Sequence, residues 1–281
     1  MPMYVDYLTY SIPVDTGYGS RLRTQYYGLA ADPASRPLYR RSVKGFFKDG
    51  FWLGYSDKRI YVNVSGSNAE NALPDIVENL REDVEAFASM SVSRIDLQQT
   101  YLVDFSVLGY IQSLTPSPEY KTMLVMSKYG DNKGIGVYVG SVTSDKRLRV
   151  YDKGAQIAAQ TGKSVTDMYG DGGLLRIELV LRKQVAQKAL FAIVNGDREA
   201  LYTSYRGECV KRIPQLEPLM DMPIAPSGID LVPEKLGRTE KWLIEQVLPA
   251  LARVYMSNPA FYDEFMRQLA GRLTAVSTRK G

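Results

Sequence analysis

The sequence predicts an α+β fold: an open, largely antiparallel sheet with helices packed on one face, followed by a C-terminal helical hairpin. Alternating apolar and polar residues predict the strands, most clearly in SRIDLQQ (93–99), RLRVYDKG (147–154) and LLRIELVLR (174–182). Asp49-Gly50 stands between two aromatic-rich runs and is the residue pair that a type I′ hairpin turn prefers. Apolar residues at three- and four-residue steps predict the helices.

In chain order, the hairpin around Asp49-Gly50 and the strand KRIYVNVSG (58–66) come first. SRIDLQQTYLV (93–103) is again a strand, and a short helix follows with Asp104 as its N-cap. Between these strands the spacing predicts one amphipathic helix, whose apolar residues are Ile76, Val77, Leu80, Val84 and Phe87.

The second half of the predicted sheet begins with the strands YKTMLVMS (120–127) and GVYVGSV (136–142). After RLRVYDKG, the segment GAQIAAQTGK (154–163) reads as a helix, and LLRIELVLR is followed by a helix that ends near Asn195-Gly196. Five prolines between Ile213 and Gly237 indicate a linker. The predicted organisation is a domain at 1–212, a linker at 213–237 and a helical module at 238–281.

Composition excludes several classes of function. The chain has no histidine, which removes serine-histidine hydrolases, zinc nucleases and nickases built on paired histidines. Any metal must therefore be held by oxygen atoms, which favours magnesium or manganese. The net charge of +4 permits a polyanionic partner. A single cysteine, Cys209, is expected to serve packing, and the absence of a long apolar run predicts a cytoplasmic protein.

The three polar strands each leave one charged face. If they are neighbours in the sheet, these faces join into one surface with two carboxylates, one phenol and several cations. The residues concerned are Arg94, Asp96, Gln98, Arg147, Arg149, Tyr151, Lys153, Arg176, Glu178 and Arg182.

Such a surface suits phosphoryl transfer. Asp96 and Glu178 can share a divalent cation, and the arginines can neutralise phosphate. Tyr151 can act as a nucleophile if nearby cations and the metal favour its anion. The alternative is that the charges form ordinary cross-strand ion pairs and that Tyr151 is one of 20 tyrosines that only pack. GSVTSDK (140–146) is either a simple turn or a phosphate-binding loop that uses Ser141 and Ser144.

The blocks SRIDLQQ, VYVGSVTSDKRLRVYDKG (137–154) and LLRIELVLRK (174–183), in this order, resemble the rolling-circle replication initiators and relaxases of the Rep_trans type. YVNVSG (61–66) is a weaker fourth block. The resemblance covers about residues 40–210. It implies a histidine-free, metal-dependent nickase of origin DNA that leaves a 3′-hydroxyl and a 5′-phosphotyrosine, with its catalytic domain at 1–212.

The resemblance also implies roles for individual residues. Tyr151 is the expected nucleophile, with Tyr138 as the next candidate, and Asp96 and Glu178 are the expected ligands of Mg or Mn. Gln98-Gln99-Thr100 stands where relatives often have another acid, so a third ligand is unidentified. The expected phosphate clamp is Arg147, Arg149, Lys153 and Arg176.

The implied partner is origin DNA, melted or extruded as a hairpin, whose 3′-hydroxyl primes a host polymerase. A host helicase and a homodimer are further expected partners. Unpaired bases are expected to stack on aromatic residues such as Phe51, Trp52 and Tyr55. The expected DNA contacts are Arg94, Ser141, Ser144, Trp52 and Tyr138. Two other hypotheses remain: a non-catalytic DNA-binding protein with the same fold, and an RNA-associated protein that uses an aromatic sheet.

Overall fold

The computed structural model describes residues 3–40, 42–126, 135–161 and 173–222, and within these ranges ten strands form one sheet. The strands are β1 (Tyr4–Pro13), β2 (Arg36–Arg40), β3 (Val43–Lys48), β4 (Phe51–Tyr55), β5 (Arg59–Ser65), β6 (Ser91–Val103), β7 (Thr122–Met126), β8 (Ile135–Val139), β9 (Lys146–Asp152) and β10 (Gly173–Arg182). The helices are α1 (Gly17–Ala31), α2 (Ser67–Glu82), α3 (Val84–Ser89), α4 (Val107–Ser113), α5 (Lys153–Thr161), α6 (Lys183–Val194) and α7 (Arg198–Arg212). Short 3-10 turns follow at Pro214–Leu216 and Leu219–Asp221.

The strand order is β2-β3-β4-β5-β1-β6-β10-β9-β8-β7, and each neighbouring pair is antiparallel. The open antiparallel sheet predicted from the sequence is thus confirmed. β10 lies between β6 and β9, so the three polar strands are neighbours. Register places Glu178 opposite both Gln98 and Arg149, and Arg176 opposite Tyr151.

One face of the sheet carries the hydrophobic core, and we call it the core face. Burial of each large apolar side chain there contributes about 1.5–3 kcal/mol. The strand residues in this core include Leu8, Ile95, Leu97, Leu148, Val150, Ile177 and Leu179. Helices α2 and α6 cover them with Leu73, Ile76, Leu80, Ala186, Leu190 and Ile193. Helix α1 joins this side through Tyr26, whose ring contacts Phe46 and Tyr55.

The opposite face, called the polar face here, carries the alternate residues of β6, β9 and β10. Leu174 and Val180 lie on it by register and are buried outside the main core cluster, as is Ile157 of α5. The polar face is therefore partly enclosed, which lowers the dielectric around its charged groups.

Turn chemistry explains the hairpin between β3 and β4. Asp49 and Gly50 adopt φ values of 47° and 77°, as a type I′ turn requires at both central positions. The predicted hairpin is confirmed. It sets the register in which Trp52 lies opposite Phe47 on one side and Asn63 on the other.

The single helix predicted across residues 76–87 is wrong, because Asp83 interrupts it. Asp83 Oδ1 accepts a hydrogen bond from the amide of Ala86 at 2.8 Å and so caps α3. Its Oδ2 accepts from the amide of Tyr18 at 2.6 Å. The chain therefore breaks between α2 and α3, and Val84, expected in the apolar stripe, is 72% exposed.

Two further boundaries differ from the prediction. The cap of α4 is Ser106, whose hydroxyl accepts from the amide of Gly109 at 3.2 Å, and not Asp104. β9 ends at Asp152 because its carboxylate accepts from the amide of Ala155 at 2.8 Å and starts α5. Lys153 is consequently the first residue of a helix rather than a member of the strand face.

Helices α1 and α7 were not predicted, since their apolar stripes are weak. Cys209 of α7 is a buried free thiol, in line with a packing role. None of the helices in the described ranges is long and apolar enough to span a bilayer. The predicted helical hairpin at 238–281 and nearly all of the linker lie outside the described residues, and the predicted division into domains stays a prediction.

Candidate active site

Tyr151, Arg149 and Glu178 meet at the centre of the polar face. The Tyr151 hydroxyl donates to Glu178 Oε2 at 3.2 Å, and Arg149 Nη1 donates to Glu178 Oε1 at 2.6 Å. Glu178 is only 2% exposed, whereas Tyr151 and Arg149 are half-buried. One carboxylate thus contacts both the phenol and a guanidinium from the neighbouring strand.

Asp96 supplies the second carboxylate. Arg94 Nε donates to Asp96 Oδ1 at 2.7 Å and Arg94 Nη2 donates to Asp96 Oδ2, which makes a bidentate pair. Burial raises the pKa of Asp96 to about 7; the hydrogen bonds from Arg94 oppose this rise, while the charge of Glu178 and a hydrogen bond with it add to it. The two carboxylates predicted as a pair therefore converge, although they are 82 positions apart in the chain.

The phenol of Tyr151 does not have the lowered pKa expected from its cationic neighbours. Burial and then the charge of Glu178 raise its pKa well above the ordinary value, and the opposing effects of Arg176 and Arg149 are smaller. The expectation rested on the cations of the same face together with a bound metal ion. It omitted the desolvation of the hydroxyl and its contact with a carboxylate.

Arg176 is buried beneath this surface. Its Nε donates to Thr100 Oγ1 at 3.0 Å and its Nη1 donates to Asp6 Oδ1 at 3.3 Å. The hydroxyl of Thr100 in turn donates to Gln98 Oε1 at 3.1 Å. Asp6 was missed by the sequence analysis. It lies at a register shift in the pairing of β1 with β6, between Val5 and Tyr7, and a bulge cannot be read from alternation.

Arginines crowd the other side of Glu178. Arg147 and Arg149 lie 4.7 and 5.4 Å from the centroid of the Tyr138 ring, so Tyr138 is held between cations. Burial and then the charge of Arg149 lower the pKa of Arg147. Burial and the charge of Arg94 lower the pKa of Arg182, which belongs to the same cluster. Such mutual repulsion favours binding of an anion.

The loop between β8 and β9 contains Ser141 and Ser144. Ser144 Oγ lies 2.8 Å from the carbonyl oxygens of both Ser141 and Lys146, so this hydroxyl holds the loop together. Ser141 Oγ lies 3.3 Å from the hydroxyl of the exposed Thr143. Arg182 Nη1 donates to the Ser144 carbonyl at 3.2 Å, which ties the loop to the arginine cluster.

The remaining predicted residues are dispersed. Lys153 is buried at the start of α5. Trp52 is on the polar face but only 3% exposed, and its indole N–H donates to the Leu38 carbonyl at 3.0 Å. Phe51 and Tyr55 alternate with Trp52 along β4 and pack with the core. The three aromatic residues considered for base stacking therefore do not share one surface.

The donor set of the site fits a hard divalent cation. The charge of Glu178 contributes to the raised pKa of Asp96, so the two carboxylates are close, and a divalent cation held by both would offset their repulsion. Gln98 is paired directly with Glu178, and its amide oxygen accepts a hydrogen bond from the Thr100 hydroxyl. Among the residues that the structure describes, no group of three acidic, histidine or cysteine side chains forms a metal site. The third ligand stays unidentified.

The polar face thus brings two carboxylates, a phenol and several arginines together on one side of an open antiparallel sheet. Residues 108–215 match the model of the Rep_trans family, described as replication initiation factor. This match confirms the family resemblance predicted from the sequence. No curated protein matches the chain.

A solved structure, the rolling circle replication initiator protein from Geobacillus stearothermophilus, has a similar fold. The TM-score is 0.52 at 15% sequence identity, and the match covers 82% of this chain and 96% of that chain. At this identity the likeness concerns the fold. The roles of Asp96, Tyr151 and Glu178 therefore rest on the geometry described above.

Proposed function

We propose that this protein initiates rolling-circle DNA replication by nicking origin DNA. The Tyr151 oxygen attacks the scissile phosphorus and forms a 5′-phosphotyrosine as the bond from phosphorus to the 3′-oxygen breaks. The leaving 3′-oxygen takes a proton from water and becomes the 3′-hydroxyl. The contact between the Tyr151 hydroxyl and Glu178, with Asp96 beside it, carries this proposal. The match of residues 108–215 to a replication initiation factor family supports it.

Glu178 takes the phenolic proton as Tyr151 attacks, because Oε2 already accepts that hydrogen bond. Arg149 holds the other carboxylate oxygen and so fixes the orientation of the base. Arg147 and Arg149 then face the phosphate and offset its additional negative charge. Tyr151 is favoured over Tyr138 as the nucleophile because its hydroxyl contacts a carboxylate, whereas the Tyr138 ring lies against two guanidinium groups.

Asp96 and Glu178 are the residues that would hold Mg²⁺ or Mn²⁺, which when bound supplies Lewis-acid stabilisation of charge on the phosphate oxygens. Binding also removes the unfavourable interaction between the two carboxylates. Arg94 keeps Asp96 oriented through its bidentate contact.

The substrate in this proposal is origin DNA in single-stranded or hairpin form, since an in-line attack on a paired, stacked strand is obstructed. A host polymerase extends the 3′-hydroxyl, and a helicase unwinds the duplex. The protein acts in the bacterial cytoplasm for a plasmid, phage or other mobile element, as a monomer or a homodimer.

Incubation with a supercoiled plasmid that carries the cognate origin tests the proposal. In the presence of Mg²⁺ or Mn²⁺ we expect nicked circles with protein attached to the 5′ end. Tyr151→Phe, a plasmid without the origin, and chelation of divalent cations are the controls, and each should abolish the product. Nicks without attached protein, or no nicks with the cognate origin, would contradict the proposal.

A non-catalytic DNA-binding function is the second candidate. The ion pairs Arg94–Asp96 and Arg149–Glu178 favour it, because they satisfy the carboxylates without a cation. This alternative requires origin binding that is independent of divalent cations and no cleavage of a single-stranded origin oligonucleotide. The same plasmid assay, repeated with that oligonucleotide, separates the two functions.

A further inference from the structure

Arginine and aromatic side chains alternate along the polar face from Asp96 towards the β2 edge of the sheet. Arg94, which holds Asp96, lies 4.4 Å from the centroid of the Tyr7 ring. The Tyr7 hydroxyl accepts from Arg40 Nη1 at 3.4 Å, and the Arg40 guanidinium lies 5.5 Å from the centroid of the Trp52 ring. We call Arg94, Tyr7, Arg40 and Trp52 the arginine–aromatic ladder.

Strand register confirms that the ladder occupies one face. Trp52 is opposite Phe47, which is opposite Arg36, and the Arg36 guanidinium lies 4.7 Å from the Phe47 ring centroid. Arg36 is exposed, and Tyr7 and Arg40 are half-exposed. The polar face therefore continues from the carboxylates over β1 to the far edge as a surface with fixed positive charge.

The aromatic rings orient the guanidinium groups. A guanidinium that stacks on a ring loses little rotamer freedom on binding an anion and keeps in-plane N–H donors for phosphate oxygens. Arg40 Nε is buried without a partner, so the hydrogen bonds of this side chain are incompletely satisfied within the described part of the chain. Basic side chains that follow the phosphate backbone are a usual part of a surface for a single nucleic acid strand. Here the rings hold the arginines in place, since Trp52 is only 3% exposed.

In-line attack assigns a polarity to that strand. The attacking and leaving oxygens lie on opposite sides of the phosphorus. Tyr151 is on β9, and the carboxylates of Glu178 and Asp96 are on β10 and β6, on the β1 side of the phenol. The proposed function places the scissile phosphate over these carboxylates, so the departing 3′-oxygen points towards β1, where the ladder begins.

We infer that the ladder binds the single-stranded DNA on the 5′ side of the scissile phosphate, the segment that ends in the new 3′-hydroxyl after nicking. This inference rests on the proposed function and adds the path and polarity of its substrate. The nucleotides on the 3′ side remain with Tyr151 and the arginines of β9.

Fluorescence anisotropy with two origin oligonucleotides tests the inference in a Tyr151→Phe background, which prevents turnover. One oligonucleotide extends about six nucleotides 5′ of the nick position and one nucleotide 3′, and the other reverses this arrangement. Arg40→Ala should weaken binding of the 5′-extended oligonucleotide about fivefold to tenfold. It should also lower the dependence of log K on log salt by about 0.7. Binding of the 3′-extended oligonucleotide should stay unchanged.

Arg21→Ala is the matched control, because it removes the same charge from α1, on the side of the core face. Arg40 packs on Trp52, so its substitution can also change stability. Arg36→Ala, at an exposed position, is a second variant that should weaken binding of the same oligonucleotide without loss of stability. Equal losses for both oligonucleotides, a loss for the 3′-extended one alone, or no loss in Arg40→Ala and Arg36→Ala would overturn the inference. None of these results bears on the covalent adduct: if wild-type protein forms no adduct, the proposed function fails instead.

Discussion

The Tyr151 hydroxyl and the Glu178 carboxylate are in contact at 3.2 Å, although the two residues belong to different strands and are 27 positions apart. The antiparallel register of β9 with β10 makes this possible, because it places Arg149 directly opposite Glu178 and Tyr151 one pleat further along. The contact unites a potential nucleophile with a potential base in a chain without histidine.

Glu178→Gln should reduce the single-turnover nicking rate by at least about 100-fold, since the variant loses a proton acceptor and a cation ligand together. Origin binding should change little. The matched control is Glu208→Gln, which removes a carboxylate from α7, where Glu208 pairs with Lys146 and Arg212. A positioned base contributes about 100-fold or more to a rate. A Glu178→Gln rate within about threefold of wild type would therefore rule out this role.

Asp96 should make the cation-free protein less stable as the pH rises from about 4 to about 7. Its pKa is raised from 3.8 to about 7 in the folded state, so between these values the folded protein holds a proton that the unfolded chain has lost. Below about pH 4, Asp96 is protonated in both the folded and the unfolded state. Above about pH 7, the loss of stability is complete. Thermal unfolding measured without divalent cations checks this.

Asp96→Asn provides the comparison for that titration. Its melting temperature relative to wild type should increase across the same pH window, because the asparagine does not titrate. Added Mn²⁺ should stabilise wild type at pH 8 and leave the variant nearly unaffected, because a ligand that binds only the folded state shifts the equilibrium by mass action. Parallel pH curves for the two proteins would contradict the raised pKa.

Asp6→Asn should lower the nicking rate by about tenfold with little effect on the KM for the oligonucleotide, because Asp6 orients Arg176 next to Tyr151. Asp6→Glu should restore part of the rate. Rates from a single-turnover series at saturating DNA make the comparison. A variant that only unfolds at lower temperature, with an unchanged rate at 25 °C, would show that Asp6 has a purely structural role.

The two serines of the loop between β8 and β9 should behave differently. Ser144→Ala should destabilise the protein by about 1 kcal/mol, because the hydroxyl bridges the carbonyls of Ser141 and Lys146. Ser141→Ala should leave stability unchanged and weaken origin binding a few-fold, about what one lost hydrogen bond to phosphate is worth. Urea unfolding and anisotropy titrations measure the two effects. Destabilisation by Ser141→Ala, with unchanged stability of Ser144→Ala, would contradict the loop structure.

Much of the site follows from alternation along the chain. Asp96, Arg149 and Glu178 were placed on one face because each strand keeps its apolar residues on the other. The charged blocks then meet because β6, β10 and β9 are neighbours. The order in which strands pair cannot be read from alternation. The sequence therefore predicts the joined charged surface only on the condition that the three strands are neighbours.

Other features depend on tertiary contacts that no local pattern encodes. Asp6 reaches Arg176 through a bulge in β1. The Trp52 ring lies against Gly45 and Gly54, and its N–H donates to the Leu38 carbonyl of β2. The raised pKa of Tyr151 results from burial, a property of the assembled sheet. The break at Asp83 depends on the distant amide of Tyr18 as well as on local capping.

Peptide mapping of a covalent complex between the protein and origin DNA is the most direct test of the central claim. Wild-type protein is incubated with a single-stranded origin oligonucleotide and Mn²⁺, digested with protease and examined by mass spectrometry. The account predicts one modified peptide, with the nucleotide attached through its 5′-phosphate to Tyr151. Attachment at Tyr138 or any other residue, or a nicked product with no attached peptide, would contradict it.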